Sequence, residues 1–328
     1  MEKQLDLTLM KARSYRSILS AGFRLYIENF RRLFKASWQM VLLYAIICGW
    51  LGTMIAIKIP EMMLGIIQGF NNHQGLFMED IRQYALTFFG LCGLSVLAII
   101  TMTLASATIL NKLKEHKETG HISVPPHWFI ASPQLMGRTL KGVVFTLLLI
   151  LLPILLFVGL MFIVNSVSPQ FTTSHLYTLA AAFLVVLLIS LILALPLYYI
   201  LMKYVLEAPC GYWQTLSHHY GKATRHWGSL FLVFFVSSLL VFIAITIIMM
   251  PAHILNLANQ SAQAGVLMGD PLGMPSYMTI LTFVTFLFCN FIQFYVSHIL
   301  LIHNYYIYGS IETKEEEKKK IENPNSAL

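Results

Sequence analysis

Charged side chains are scarce in this chain. Asp, Glu, Lys and Arg make up 11% of its 328 residues, whereas hydrophobic residues make up 57%. A typical soluble domain carries about 25% charged residues. Because a soluble protein of this length would need far more polar surface to cover its core, the composition predicts that a bilayer is the solvent for most of the chain.

Motifs for catalysis and for metal binding are also missing. The sequence contains no signature of a serine hydrolase, a zinc protease, a phosphate-binding loop or a dinucleotide-binding fold. Its cysteines, Cys48, Cys92, Cys210 and Cys289, are not paired at metal-ligand spacing, and we interpret them as small packing residues. The eleven histidines match no zinc signature either. We therefore predict a protein that is not an enzyme and that holds no metal or cofactor.

Six long apolar runs dominate what is present. They cover residues 38–59, 84–110, 142–164, 176–202, 228–250 and 276–303. Each run reaches the ~20 residues that an α-helix needs to cross ~30 Å of hydrocarbon. The first run is long enough to span and has no small-residue cleavage site behind it, so we expect it to stay as the first helix. The pattern predicts an all-α integral membrane protein with six transmembrane helices.

Positive charge falls almost entirely on one side of these runs. Of the 22 Lys and Arg residues, 20 lie before the first run, after the last run, or around the two connections that join an even run to an odd one. Only Lys58 and Arg82 belong to the other side. The positive-inside rule therefore predicts that both termini are cytoplasmic. The net charge of +7 then faces anionic lipid headgroups, and we expect no binding to nucleic acid.

The first 37 residues form a basic amphipathic stretch. On a helical wheel, aromatic and aliphatic side chains share one face and basic side chains share the opposite face. This pattern predicts a helix over residues 1–37 that lies in the membrane interface and turns into the first span at Trp38. Two interpretations stay open: the helix packs under the bundle and orients the first span, or it docks acidic lipid or a protein partner. The candidate docking residues are Arg13, Arg24, Arg31, Lys35, Phe23 and Phe30.

The remaining chain divides into a six-helix transmembrane domain over residues 38–310 and a charged cytoplasmic tail over residues 311–328. On the far side of the membrane, the spacing of apolar residues over about 60–83 predicts a second, short interfacial helix. The stretch at about 252–275 is rich in Gly and Pro, and we predict a long apolar loop there. Such a loop lies on the membrane surface, or dips into the membrane where protein or water covers its backbone.

A polar stripe follows the sixth apolar run. Its members fall within about 60° of one another on a helical wheel. They are Asn290, Gln293, Ser297 and Asn304. Exposure to lipid would leave these groups unpaired, so they should face other helices or water. The stripe is either the lining of a solute path or a set of interhelical hydrogen bonds worth ~0.6 kcal/mol each.

Two short motifs carry a resemblance to a known family. One reads Gly-Phe-Arg-x-Tyr-x-x-Asn-Phe from Gly22 to Phe30, and the other reads His-Trp-Gly-x-x-Phe from His226 to Phe231. Together with six spans, they resemble the membrane domain attached to some bacterial glycerophosphodiester phosphodiesterases, and its stand-alone inner-membrane relatives. The resemblance implies a multi-pass protein of the bacterial inner (plasma) membrane. No segment between the spans is long enough for a phosphodiesterase domain, so we expect no counterpart of that family's catalytic residues.

These observations predict a non-enzymatic inner-membrane protein that acts as an accessory or scaffold protein or in association with lipid. Its predicted partners are membrane lipids, anionic at the cytoplasmic face, with a protein partner as a further option. The alternative is a transporter or permease for a small or amphiphilic solute along the polar stripe of the sixth run. The apolar runs contain no Asp or Glu, which disfavours a carrier coupled to protons or sodium.

Overall fold

The structure is a computed structural model that describes residues 8–71, 78–123, 132–167, 173–207, 210–269 and 275–322. All regular secondary structure in these ranges is α-helical. The helices are α1 (Tyr15–Asn71), α2 (Met78–Thr119), α3 (Pro133–Val167), α4 (Thr173–Leu206), α5 (Tyr212–Arg225), α6 (Trp227–Leu267), α7 (Tyr277–Ser297) and α8 (Ile299–Glu322). By length and composition, α1, α2, α3, α4, α6 and the joined α7–α8 are able to cross a membrane. The prediction of an all-α, multi-pass membrane protein is confirmed at this level.

Helix α1 is one uninterrupted helix of 57 residues. At 1.5 Å per residue it is about 85 Å long, well over twice the thickness of the hydrocarbon layer. It continues through Trp38, where we predicted a turn, and through Pro60, where we predicted the start of a separate helix. Both predictions of separate elements are wrong. No Gly or Pro occurs between residues 23 and 48, so nothing in that stretch ends the helix.

Helix α6 also extends beyond its apolar run. It reaches Leu267, so most of the loop predicted over about 252–275 is helix, and that prediction is wrong. Amide side chains explain why this stretch packs as helix. Asn259 is fully buried and donates to Thr282 Oγ1 of α7 at 3.0 Å. Gln263 donates from Nε2 to the carbonyl of Ile57 in α1 at 2.8 Å.

Helix α8 forms the centre of one end of the bundle. Every residue from Ile302 to Glu312 is buried, as expected of a helix that is surrounded on all sides. The start of α1, all of α5 and the start of α6 lie at this same end, which we call the basal end. The first motif docks α1 here, because Gly22 leaves room for the His303 ring and Tyr26 donates to the carbonyl of Tyr295 at 2.8 Å.

The second motif compensates for a hydrogen bond that α4 lacks at Pro196. Pro196 has no backbone N–H, so the carbonyl of Ile192, four residues earlier, loses its helical donor. Trp227, the first residue of α6, donates from Nε1 to that carbonyl at 3.3 Å. Tyr220 of α5 donates its hydroxyl to the next carbonyl, that of Leu193, at 3.4 Å. These two side chains hold α5 and α6 against α4 one turn before Pro196.

Candidate functional site

A cavity of about 540 Å³ lies in the basal half of the bundle. Its volume falls in the usual range of small-molecule sites, about 300–1,000 Å³. Helices α2, α3, α4, α6 and the α7–α8 junction contribute to its wall, which is mostly aliphatic and aromatic. Met102, Tyr198 and Phe235 line the cavity and are also 41%, 41% and 57% exposed, so the cavity opens to the surface that faces lipid.

No charged side chain lines this cavity within the described part of the chain. Its polar groups are instead hydroxyls, an imidazole and an amide. Four of them come from α2 and the α7–α8 junction: His298 and Asn304 are buried, and Ser106 and Ser297 are partly buried. An apolar wall with a few polar groups is the usual composition of a ligand site.

His298 lies at the junction between α7 and α8 and is 4% exposed. Its Nδ1 is 2.6 Å from the carbonyl oxygen of Phe294. Because a carbonyl only accepts, Nδ1 carries the proton, and Nε2 is left as an acceptor. The hydroxyl of Ser106 therefore donates to Nε2, across a distance of 2.8 Å. This hydrogen bond connects α2 to the α7–α8 junction.

Asn304 lies one and a half turns further along, in α8, and is 4% exposed. Its Nδ2 donates to the carbonyl of Tyr198 in α4 at 2.8 Å, while its Oδ1 has no hydrogen-bond partner. Rotating the amide by 180° would place two acceptor oxygens against each other, so the network decides the orientation. An acceptor that is buried and unpaired costs about 1–3 kcal/mol, which marks this position as one that a donor would stabilise.

The polar stripe predicted on the sixth run divides between two environments. Ser297 and Asn304 line the cavity. Asn290 donates instead to the carbonyl of Phe286 in its own helix at 2.7 Å. Gln293 is partly exposed, and like Asn290 it does not line this cavity. The stripe therefore provides two cavity residues rather than a continuous lining.

The cavity includes residues that the sequence did not single out. Ser106 and His298 provide its central hydrogen bond, and Thr139 contributes a further hydroxyl. Ser106 is one of several Ser and Thr residues in the second apolar run, so nothing in the sequence singles it out. His298 is one of the eleven histidines that match no zinc signature, and its sequence context indicated no other role.

Arg13 requires a correction to the predicted docking surface. It is 5% exposed, and its guanidinium donates to the carbonyls of Leu9 at 3.2 Å and Thr8 at 2.6 Å. The guanidinium also lies 5.1 Å from the ring centre of Tyr306, and the backbone N–H donates to Ser310 Oγ at 3.0 Å. Arg13 therefore fastens the N-terminal segment to α8 and is not on a surface that a partner can reach.

The other predicted docking residues are distributed along the first part of α1. Arg31 and Lys35 are exposed, and Phe30 is 40% exposed. Arg24 is partly exposed and forms an ion pair with Glu28 at 2.6 Å. Phe23 packs edge-on against His303, with ring centres 4.9 Å apart. Of the six residues, Arg24, Arg31, Lys35 and Phe30 are accessible to lipid or to a partner.

A charged cluster lies beside the cavity at the basal end. Lys203 Nζ is 2.8 Å from Glu312 Oε1 and 3.0 Å from Glu207 Oε2. The tyrosine hydroxyl of Tyr199 donates to Glu312, and that of Tyr308 donates to Glu207. The contact between Lys203 and Glu207 follows from their i, i+4 spacing, whereas Glu312 belongs to the stretch that we predicted to be a tail.

The cluster is electrically balanced. Lys117 of α2 donates to the Tyr308 hydroxyl at 2.8 Å, which brings a second lysine to match the two glutamates. Burial, and then Lys203 and Lys222, lower the pKa of the neighbouring His219, so this imidazole is neutral at pH 7. The cluster therefore ties α2, α4 and α8 together without a net charge.

The arrangement around His298 suits binding better than catalysis. Its tautomer would let Nε2 act as a base toward Ser106, as in a hydrolase. However, Ser106 lies in the interior of α2, where the surrounding backbone N–H groups are bonded within the helix and none can stabilise an oxyanion. In the described residues, no group of three or more His, Cys, Asp or Glu side chains comes together as a metal site. His127, one of the eleven histidines, lies outside the described residues.

Comparisons with known proteins provide no family for this chain. No family model, no curated protein and no solved structure matches it. The resemblance to the membrane domain of glycerophosphodiester phosphodiesterases therefore stays a prediction from the motifs Gly22–Phe30 and His226–Phe231. The geometry of the cavity is the basis on which the function is interpreted.

Proposed function

We propose that this protein is a non-enzymatic, lipid-associated protein of the bacterial inner membrane that binds an amphiphile in the basal cavity. The observation that carries the proposal is the cavity itself, with about 540 Å³ of space, an apolar wall and a small polar patch. It lies at the basal ends of the apolar runs, close to the depth at which headgroups meet acyl chains. An amphiphile that enters from the bilayer can place its acyl chain against the apolar wall and its polar headgroup at the polar patch.

Filling the cavity tests this function. Val143 lines the cavity from α3, whereas its neighbour Val144 is 43% exposed and does not line it. We expect Val143→Phe to weaken binding by about tenfold, because overpacking costs about 1–3 kcal/mol and ~1.4 kcal/mol is a tenfold change in affinity. Native mass spectrometry of gently extracted protein measures the retained lipid.

Val144→Phe is the matched control, since it adds the same ring on the side that faces lipid. It should retain as much lipid as the original protein. Unfolding temperatures of both variants separate loss of the ligand from loss of the fold. Equal lipid retention by the folded Val143→Phe and Val144→Phe variants would show that the cavity is not the binding site.

We further propose that the basal end faces the cytoplasm and that the accessible residues of α1 dock anionic lipid. The positive-inside distribution and the exposure of Arg31 and Lys35 support this orientation. It also predicts that Cys210, which is exposed at the basal end, reacts with an impermeant maleimide in inverted vesicles and not in intact cells. Labelling of Cys210 in intact cells would show that the basal end faces away from the cytoplasm.

Charge reversal tests the docking surface. Changing Arg24, Arg31 and Lys35 together to Glu should weaken the attraction by at least about 3 kcal/mol, at ~1 kcal/mol for each basic residue lost, and reduce the anionic lipid that copurifies. The same reversal at Lys318, Lys319 and Lys320, on exposed positions of α8, is the control. Equal losses from both triple variants would assign the effect to net charge rather than to α1.

Transport of the amphiphile is a second candidate function. It is favoured by buried amides in the opposite half of the bundle, where Asn259 and Gln263 each have a side-chain oxygen without a hydrogen-bond partner. Polar groups therefore occur in both halves of the structure. Movement of a labelled lipid between leaflets of reconstituted vesicles distinguishes the two functions. A protein that binds the lipid without accelerating this movement is not a transporter.

A further inference from the structure

The hydroxyl groups in the buried part of the cavity donate their protons within the protein. Ser297 donates to the carbonyl of Phe294 at 2.8 Å, and Thr139 donates to that of Leu135 at 2.8 Å. The single proton of Ser106 is also used within the protein, because two acceptors, His298 Nε2 and the carbonyl of Met102, each lie 2.8 Å from its Oγ. A hydroxyl has one proton and two lone pairs, so each of these groups offers a ligand an acceptor and no donor.

The side-chain amide of Asn304 in the cavity wall also offers a ligand an acceptor and no donor. Asn304 uses Nδ2 on the carbonyl of Tyr198, and its Oδ1 is an acceptor without a partner. His298 adds no donor, because its single proton lies between Nδ1 and the carbonyl of Phe294. Tyr198 and Ser238 also bring hydroxyls, but both side chains are more than a third exposed, toward the mouth of the cavity. The polar patch in the inner part of the cavity is thus a set of acceptors.

Charge narrows the choice of ligand further. Among the described residues that line the cavity there is no Lys or Arg to neutralise a phosphate or carboxylate, and no Asp or Glu to neutralise an ammonium group. Taking an ion into such a site without a partner is strongly unfavourable. A neutral headgroup with hydrogen-bond donors avoids the cost of burying an unpaired anion or cation, and its donors satisfy the acceptors of the cavity.

We propose that the ligand is an uncharged amphiphile whose headgroup carries free hydroxyls, of the monoacylglycerol type. Its acyl chain occupies the apolar wall formed by residues such as Val143, Leu201 and Phe234, and its hydroxyls donate to the acceptor patch at Ser106, Ser297 and Asn304. This inference rests on the proposed function, because it names the chemical class of the ligand that the cavity holds.

Three probes with the same oleoyl chain test the headgroup. 1-Monooleoylglycerol has two hydroxyl donors, methyl oleate has none, and 1-oleoyl lysophosphatidic acid replaces one hydroxyl with a phosphate. Binding to the full-length protein in detergent is measured by native mass spectrometry. We expect monooleoylglycerol to bind about tenfold more tightly than either of the others, as one or two net hydrogen bonds would give.

Asn304→Leu removes the unpaired acceptor and keeps a side chain of similar size. The variant should lose the preference for monooleoylglycerol and bind methyl oleate as the original protein does, which also shows that the cavity is still folded. Tighter binding of lysophosphatidic acid, or an unchanged preference in Asn304→Leu, would overturn the headgroup assignment and leave the cavity as a lipid site. If none of the probes binds, and Val143→Phe retains the same lipid as Val144→Phe, the proposed function fails as well.

Discussion

Replacing Lys203 with Met is expected to lower the free energy of unfolding by about 3–5 kcal/mol. Lys203 is the cation that Glu207 and Glu312 share, at 3.0 and 2.8 Å, and its side chain is only 7% exposed. Its loss leaves Glu312, buried in α8, without the nearest opposite charge. Breaking a buried ion pair on one side is costly, because the remaining charge is neither solvated nor compensated. Thermal or denaturant unfolding of the purified protein in detergent measures the change.

Lys318 provides the matched control for Lys203. It pairs with Glu322 at 3.7 Å, and these side chains are 56% and 64% exposed. Lys318→Met should change the unfolding free energy by less than about 1 kcal/mol, because exposed ion pairs contribute little. A second change, Glu312→Leu in the Lys203→Met background, should recover part of the loss by removing the unpaired charge. Equal stability of Lys203→Met and Lys318→Met would contradict the role of the cluster.

Replacing Gly309 with Ala is expected to detach the N-terminal segment from α8. A methyl group at Gly309 would lie 2.5 Å from the carbonyl oxygen of Leu9 and 2.6 Å from its Cδ1. The backbone at Leu9 must therefore move, which disturbs the contacts of Arg13. Overpacking of this kind costs about 1–3 kcal/mol. Limited trypsin digestion should cut the folded variant after Arg13, which is only 5% exposed in the original protein.

The same Gly→Ala change at Gly93 is expected to stabilise the protein. It lies in the interior of α2, where a methyl group would meet no other atom within 4 Å. Gly93→Ala should therefore stabilise the protein by about 1 kcal/mol through helix propensity. If Gly309→Ala were as stable and as resistant to trypsin as Gly93→Ala, the packing of Leu9 on α8 would be refuted.

The sequence predicted the spans well because hydropathy is a local property. A stretch of ~20 apolar residues is sufficient to predict a membrane-crossing helix, whatever its neighbours are. Helix ends are a different property. The first apolar run ends at residue 59, yet α1 extends from Tyr15 to Asn71, because hydropathy marks the part that lipid surrounds and not the point where hydrogen bonding stops.

The N-terminal prediction failed at Arg13 for a related reason. The helical wheel placed Arg13 on the basic face, but α1 begins only at Tyr15, so the wheel does not apply to residue 13. From Tyr15 onward, the face of α1 that carries Ile18, Leu25 and Leu33 is buried, since each of these side chains is no more than 2% exposed. Much of that face packs on α7 and α8, which favours an orienting role for the segment.

The cavity could not be read from the sequence. Its wall brings together residues from α2, α3, α4, α6 and the α7–α8 junction, and each polar member is unremarkable within its own helix. Only the packing shows that Ser106 meets His298, 192 positions later, and that Asn304 meets the carbonyl of Tyr198. The same holds for Lys203 and Glu312, which are 109 positions apart.

The contact between Trp227 and the carbonyl of Ile192 in α4 has an evolutionary consequence. The indole donor is needed because Pro196 leaves the carbonyl of Ile192 without its helical partner. A homologue with any other residue at position 196 would restore that partner through its own backbone N–H. Selection on the indole at position 227 would then be relaxed, so the two positions should vary together rather than independently.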